Sequence, residues 1–89
     1  MELSEIRNKI DKIDDELVKL FMERMKLVSL AAEEKAKSGK AVFDPEREKE
    51  IISSLTENLD KEMSHDVAEL YNSIFDISKK RQNKIISKE

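Results

Sequence analysis

An apolar seam at helical spacing runs through the first third of this chain and limits most strongly how it can fold. The seam residues alternate at spacings of four and three, the pattern of a long helix that packs against another helix. They are Ile6, Ile10, Ile13, Leu17, Leu20, Leu27 and Ala31. Arg24 fills the one gap in the seam. A guanidinium keeps its proton, and its burial without a partner is costly, so an anion must lie beside it. Whether this anion is a carboxylate side chain or a ligand decides the function.

The helix that carries the seam is too long for a domain of this size. Its pattern continues from Ser4, a predicted N-cap, to Ser38 and Gly39, the only glycine of the chain. A helix over about residues 4–38 would be roughly 50 Å long. A compact domain of 89 residues has a radius of gyration of only about 12 Å. The helix would therefore extend beyond its own domain, and a second chain must cover the seam.

A second, shorter helix is predicted over about residues 45–58. Asp44 is a suitable N-cap, and Pro45 follows at the first helical position, where its missing N–H costs nothing. Arg47 and Glu48 lie on the same side as the apolar stripe of this helix. That stripe consists of Ile51, Ile52, Leu55 and Leu59.

A third helix is predicted over about residues 65–86, with Ser64 and Asp66 as its start signals. Its inward stripe contains two hydrogen-bonding side chains four residues apart, Ser78 and Gln82. The apolar members of the stripe are Val67, Leu70, Tyr71, Ile74 and Ile85.

The composition agrees with one all-α domain over residues 1–89. The composition is typical of helical proteins, with one glycine, one proline, three phenylalanines, one tyrosine and no tryptophan. Charged residues make up 42% of the chain, but the signs are interspersed and the net charge is −3, which argues against a basic nucleic-acid surface. The absence of cysteine excludes disulfides and agrees with a reducing compartment. Because neither a membrane-spanning run nor a secretion signal is visible, we expect a soluble, cytoplasmic protein.

Two cations of the first helix face the same direction. Lys35 follows Arg24 by eleven residues, which returns it to within about 20° of the same face. Arg7 precedes Arg24 by seventeen residues, which places it about 25 Å away along the axis. If Arg7 belongs to the same site, it must therefore come from a second chain.

Taken singly, each of these polar residues has a purely structural explanation. An arginine on a seam, for example, pairs with a carboxylate of a neighbouring helix more often than it binds a ligand. Polar groups nevertheless interrupt the apolar stripes of all three helices, where polarity is expensive. This conjunction favours a ligand site. His65 has no second histidine or cysteine for a metal, and no glycine-rich phosphate loop or Ser–His pair is present, so metal and covalent mechanisms are not indicated.

With these residues in this order, the chain resembles the all-helical chorismate mutases of the shikimate pathway, from about Leu3 to Ile86. The order and spacing of five segments carry the resemblance. They are Ile6-Arg7 with Ile10-Asp11-Lys12-Ile13-Asp14, then Glu23-Arg24, Lys35, Asp44-Pro45-Glu46-Arg47-Glu48, and Ser78-Lys79-Lys80-Arg81-Gln82. The resemblance implies an intertwined homodimeric helical bundle in which the first helix of each chain spans both active sites. It also implies an isomerase that rearranges chorismate to prephenate in aromatic amino acid biosynthesis, without a cofactor.

The resemblance implies roles for four catalytic residues. Arg24 of one subunit and Arg7 of the other would bind the carboxylates of chorismate. Lys35 and Gln82 would donate hydrogen bonds to the ether oxygen, which gains negative charge as its bond breaks.

Four further residues would complete the substrate site by the same resemblance. Glu48 and the main chain of Asp44 would receive the ring hydroxyl. Arg47 and Ser78 would complete the carboxylate pocket.

Two alternatives remain open at the level of sequence. An isochorismate-pyruvate lyase resembles this fold and binds a similar dianion, although the Asp44–Glu48 segment favours the mutases. A non-catalytic helical dimerisation or regulatory module would instead pair Arg24 and Lys35 with carboxylates across an interface.

Overall fold

The computed structural model describes residues 1–87 and consists of three α-helices. α1 covers Leu3–Ser38, α2 covers Pro45–Thr56 and α3 covers Lys61–Ser87. No strand occurs within residues 1–87. These observations confirm the predicted all-α fold with a very long first helix. None of the three described helices is long and apolar enough to cross a membrane.

The first half of α1 extends away from the rest of the molecule. The chain measures 53 × 27 × 14 Å and has a radius of gyration of 16.3 Å, above the value of about 12 Å for a compact domain of this length. Residues 1–20 are all exposed. Six seam residues, from Ile6 to Leu27, have exposed fractions between 40% and 66%. Within one chain the seam is therefore uncovered, as the length of the helix led us to expect.

The second half of α1 packs on α3 through a face that adjoins the seam at Arg24. Met25 and Ala32 are its buried residues, and Phe75 is the buried apolar residue of α3. Ser78 and Gln82 are also buried. Two of the five buried residues among residues 1–87 are thus polar, so one chain has only a very small apolar core. A core of this size contributes little to the stability of an isolated chain.

The predicted bounds of α1, about residues 4–38, agree with the observed Leu3–Ser38, but the N-cap differs from the prediction. Ser4 is not the N-cap; Glu2 holds that position without a side-chain cap, and its carbonyl accepts a bond from the N–H of Ile6 at 3.1 Å. Gly39 does end the helix in the left-handed region, at φ +70°, and its N–H donates to the carbonyl of Lys35. The glycine was identifiable because few other residues adopt this conformation at low cost.

The connection between α2 and α3 is shorter than predicted. α2 ends at Thr56 instead of about residue 58, and α3 begins at Lys61 instead of about residue 65. The earlier start of α3 has a capping residue that the sequence reading missed. Asp60 accepts a bond from the N–H of Met63 through its carboxylate at 2.8 Å. An aspartate three residues before an available N–H is a strong N-cap, and it prevails over the later start signals.

α3 packs against both other helices, and α1 and α2 face each other across a pocket. α1 and α3 run in the same direction, since Arg24 bonds Ser78 while Lys35 bonds Gln82 further along both helices. The pocket is lined by residues of all three helices.

Candidate active site

One pocket of about 100 Å³ brings together seven of the eight predicted site residues. α1 contributes two of them, α3 two, and the start of α2 with its N-cap contributes three. The seven are Arg24, Lys35, Asp44, Arg47, Glu48, Ser78 and Gln82. Larger depressions exist, including one of about 450 Å³ beside Met22 and Lys26. We assign the site to the smaller pocket because its polar groups converge from separate helices.

Arg7 is the predicted residue that does not line this pocket. It is exposed on the extended half of α1, about 25 Å along the helix from Arg24 by helical rise. Within one chain these two guanidinium groups therefore belong to different regions.

The guanidinium of Arg24 is held by a hydroxyl and two aromatic rings. Its Nη1 donates to Oγ of Ser78 at 3.0 Å. Its Cζ lies 5.9 Å from the ring centroids of both Tyr71 and Phe75, within the range of cation–π attraction. Among residues 1–87 no carboxylate forms an ion pair with Arg24. Most of its five N–H donors are thus left for a further acceptor.

Ser78 is oriented to accept the bond from Arg24. Its hydroxyl donates to the carbonyl of Ile74, one turn earlier in α3, at 2.7 Å. A hydroxyl has one proton, so its lone pairs remain for the guanidinium. Such back-bonding within a helix is usual for serine, and here it fixes the side chain against α1.

Lys35 and Gln82 form a pair of hydrogen-bond donors. The ammonium of Lys35 donates to Oε1 of Gln82 at 2.9 Å and to the carbonyl of Val42 at 3.2 Å. An ammonium has only donors, so the amide oxygen must face it and the amide NH₂ is directed elsewhere. Lys35 retains one N–H because two of its three are engaged. The pocket therefore offers one N–H from Lys35 and the NH₂ of Gln82 to a ligand.

Glu48 forms an ion pair that bridges α2 and α3. Its Oε2 lies 3.2 Å from Nζ of Lys79, and both side chains are about three-quarters buried. The ammonium of Lys79 also lies 4.5 Å from the ring centroid of Phe43. Lys79 lines the pocket but was not predicted as a site residue. Its spacing of three residues from Gln82 on a helix was the available signal.

Asp44 and Arg47 lie at the rim of the pocket. As predicted, Asp44 is the N-cap of α2, and its Oδ1 accepts a bond from the N–H of Arg47 at 3.1 Å. The side chain of Arg47 is 65% exposed, and its Nη1 lies 3.6 Å from Oε2 of Glu50. The four lining cations are Arg24, Lys35, Arg47 and Lys79. Against them stand two carboxylates, those of Asp44 and Glu48, so the lining has a surplus of two positive charges.

Apolar residues form the remaining wall, and the sequence reading did not include them in the site. They are Val28, Val42, Ile51 and Phe75. Val28 follows Arg24 by one turn and Phe75 precedes Ser78 by one turn, so helical spacing was again the available signal. Apolar walls reduce the local dielectric constant and strengthen the interactions of the polar groups.

Comparison with known proteins gives consistent matches. The profile of the family described as chorismate mutase type II matches residues 6–83. A bifunctional chorismate mutase/prephenate dehydratase of Aquifex aeolicus is 42% identical over 62 residues, which cover 70% of this chain and 17% of that protein. A chorismate mutase of Methanocaldococcus jannaschii is 46% identical over 54 residues, covering 61% of this chain and 54% of its own. The aligned region thus spans about half the length of the second relative and much less of the first. No solved structure matches significantly.

Proposed function

Because this chain belongs to the type II chorismate mutase family, we propose that it catalyses the rearrangement of chorismate to prephenate in phenylalanine and tyrosine biosynthesis. One observation carries the proposal. Arg24, Lys35 and Gln82 direct free donors into a single pocket whose lining has a surplus of two positive charges. The substrate is a dianion, so its charge matches this surplus. The reaction is unimolecular and uses no cofactor, and we propose that it takes place in the cytoplasm.

Arg24 would bind one carboxylate of chorismate. Its contacts with Ser78 and the two aromatic rings hold the guanidinium before the substrate arrives. A planar guanidinium binds a carboxylate through two parallel hydrogen bonds, which restricts the substrate more than a point charge does. Arg47 would complete this part of the site from the rim. The bound dianion would thereby be held in the folded conformer that rearranges.

Lys35 and Gln82 would stabilise the transition state. As the C–O bond of the ether breaks, negative charge grows on its oxygen. Donors that are already in place interact more strongly with that oxygen in the transition state than with the uncharged ether, and this difference lowers the barrier. One such donor contributes about 3 to 4 kcal/mol in comparable sites.

Glu48 would accept the hydrogen bond of the ring hydroxyl, which would also contact the main chain of Asp44. Glu48 lies in the first turn of α2, where its own N–H donates to the carbonyl of Asp44 at 3.1 Å. Its carboxylate lines the pocket.

We also propose that the protein is a homodimer in which Arg7 of the partner subunit completes the site. The exposed seam on α1 supports this proposal, because a soluble monomer rarely leaves so continuous an apolar face in water. The length of α1 supports it as well, since residues 1–20 extend away from their own chain.

The test of the activity is chorismate consumption by the purified protein, with identification of the product and a Lys35→Ala sample in parallel. Prephenate formation that is lost in the variant is the expected result. Pyruvate released from isochorismate, without prephenate, would instead identify a lyase. No turnover of either compound, and no protection from unfolding by a dianionic transition-state analogue, would indicate a non-catalytic module.

Mixed dimers test the position of Arg7. Arg7→Ala and Arg24→Ala chains are each expected to be nearly inactive. When the two are refolded together, a mixed dimer has one site with both arginines intact if Arg7 acts across the interface. Since about half of the dimers are mixed and one of their two sites is intact, about a quarter of the wild-type activity should return. No recovery in verified mixed dimers would place both arginines in the same subunit.

A further inference from the structure

Lys79 makes the closest ion pair of the described chain and has no role in the mechanism above. Its Nζ lies 3.2 Å from Oε2 of Glu48, with side-chain exposures of 27% and 24%. The other ion pairs among residues 1–87 are longer, at 3.6 to 3.8 Å, and each includes a side chain that is at least 65% exposed. Exposed pairs contribute little, whereas a largely buried pair strongly restricts both partners.

The position of the ammonium is determined from more than one side. Nζ of Lys79 lies above the ring of Phe43, 4.5 Å from its centroid, in addition to its contact with Glu48. Asp76, one turn earlier on α3, lies 3.8 Å away. The pair with Glu48 also connects α3 to the first turn of α2, where the pocket wall begins.

Glu48 has no other cationic partner within residues 1–87. It lines the same pocket as Arg24 and Lys35, which themselves have no carboxylate partner in the described chain. A carboxylate that was free to turn within this pocket would be attracted to these two cations. It would then occupy the donors that a dianionic substrate requires, and its charge would repel that substrate.

We propose that Lys79 is a positioning residue that holds Glu48 at the pocket wall, where it accepts the ring hydroxyl and stays away from the substrate-binding cations. This inference rests on the proposed mutase function. Because the hydroxyl does not react, its bond to Glu48 is similar in the ground state and in the transition state. Loss of Lys79 should therefore affect KM more than kcat.

The experiment compares kcat and KM for chorismate in wild-type protein, Lys79→Met, Glu48→Gln and the double variant. Methionine keeps most of the length of the lysine and removes its charge. Lys80→Met is the matched control, because Lys80 is the exposed neighbour on the same helix and does not line the pocket. Circular dichroism and thermal unfolding check the fold of each variant. Lys79→Gln provides a second neutral replacement, so the result does not depend on the stability of one variant.

Lys79→Met and Lys79→Gln should each raise KM about tenfold, with a smaller change in kcat, whereas Lys80→Met should stay within about twofold of wild type. In a chain that already carries Glu48→Gln, the Lys79 substitution should raise KM almost no further, because no carboxylate remains to be positioned. Wild-type kinetics in both folded Lys79 variants would overturn the inference. The inference would also be overturned if the Lys79 substitution raised KM equally in the wild-type chain and in the Glu48→Gln chain, since that result indicates a packing role. If wild-type protein does not convert chorismate, the proposed function fails first and this inference fails with it.

Discussion

Replacement of Lys35 by alanine is the most direct perturbation of the proposed mechanism. It removes the ammonium that donates to Gln82 at 2.9 Å and to the carbonyl of Val42 at 3.2 Å. The remaining N–H of that ammonium is the donor assigned to the ether oxygen. The substitution therefore deletes one donor and also releases the amide oxygen that orients the second donor, the NH₂ of Gln82.

The size of the expected effect follows from these contacts. Loss of one preorganised donor lowers kcat by about 10² to 10³. Because the amide of Gln82 also loses its anchor, we expect the upper end of this range, about 10³-fold, equivalent to about 4 kcal/mol of barrier. The free energy of unfolding should change much less, by at most about 2 kcal/mol, because the lost bonds are partly offset by removal of a half-buried charge. The fold should persist.

The assay is steady-state chorismate turnover, with circular dichroism and urea unfolding on the same samples. Lys37→Ala is the matched control, because Lys37 lies in the same helical turn but is exposed and, within residues 1–87, pairs only with Glu34 at the surface. It should retain wild-type kcat. A kcat for folded Lys35→Ala within about threefold of wild type would refute the assignment, since loss of a preorganised donor to the ether oxygen should lower kcat by about 10² or more. An equal loss in both variants would show that the helix end, and not the ammonium, is responsible.

Three further predictions concern the support of the site and of the fold. Ser78→Ala should lower kcat/KM about tenfold, because Arg24 loses the acceptor at 3.0 Å that orients it; unchanged chorismate kinetics would contradict this role. Gly39→Ala should lower the free energy of unfolding by about 1 kcal/mol in urea titrations, from backbone strain alone. An added Cβ at Gly39, where φ is +70°, meets nothing within 4 Å, so a much larger loss of unfolding free energy would contradict this reasoning and indicate steric crowding at residue 39. Ile13→Glu should convert the proposed dimer to monomer in light scattering, because Ile13 is 58% exposed within one chain and lies on the uncovered seam; a dimer that persists in the variant would place the interface elsewhere.

The features that could be predicted are those that depend on neighbours along the chain. The spacing of apolar residues indicates long helices because side chains three and four residues apart share a face. Gly39 and the Asp44-Pro45 pair mark helix ends through local backbone chemistry, and both have these roles in the structure. Polar residues within apolar stripes indicated six members of one pocket, because burial of polarity needs a reason, and the family resemblance added Asp44. The predicted start of α3 was wrong because two valid start signals compete there. Asp60, the earlier of the two, makes the cap.

Tertiary structure decided which residues meet, and the site depends on this. Periodicity places Arg24 and Lys35 on one face of a helix, but their partners Ser78 and Gln82 are more than 40 positions away along the chain. The same limit applies to the ion pair of Lys79: its helical spacing from Gln82 indicates that it faces the site, but nothing near it in the sequence reveals that Glu48 lies 3.2 Å from its ammonium. Local pattern determines the helices because their hydrogen bonds close within one turn. The positions of helices relative to one another depend on side-chain packing between distant segments, and that packing forms only in the folded chain.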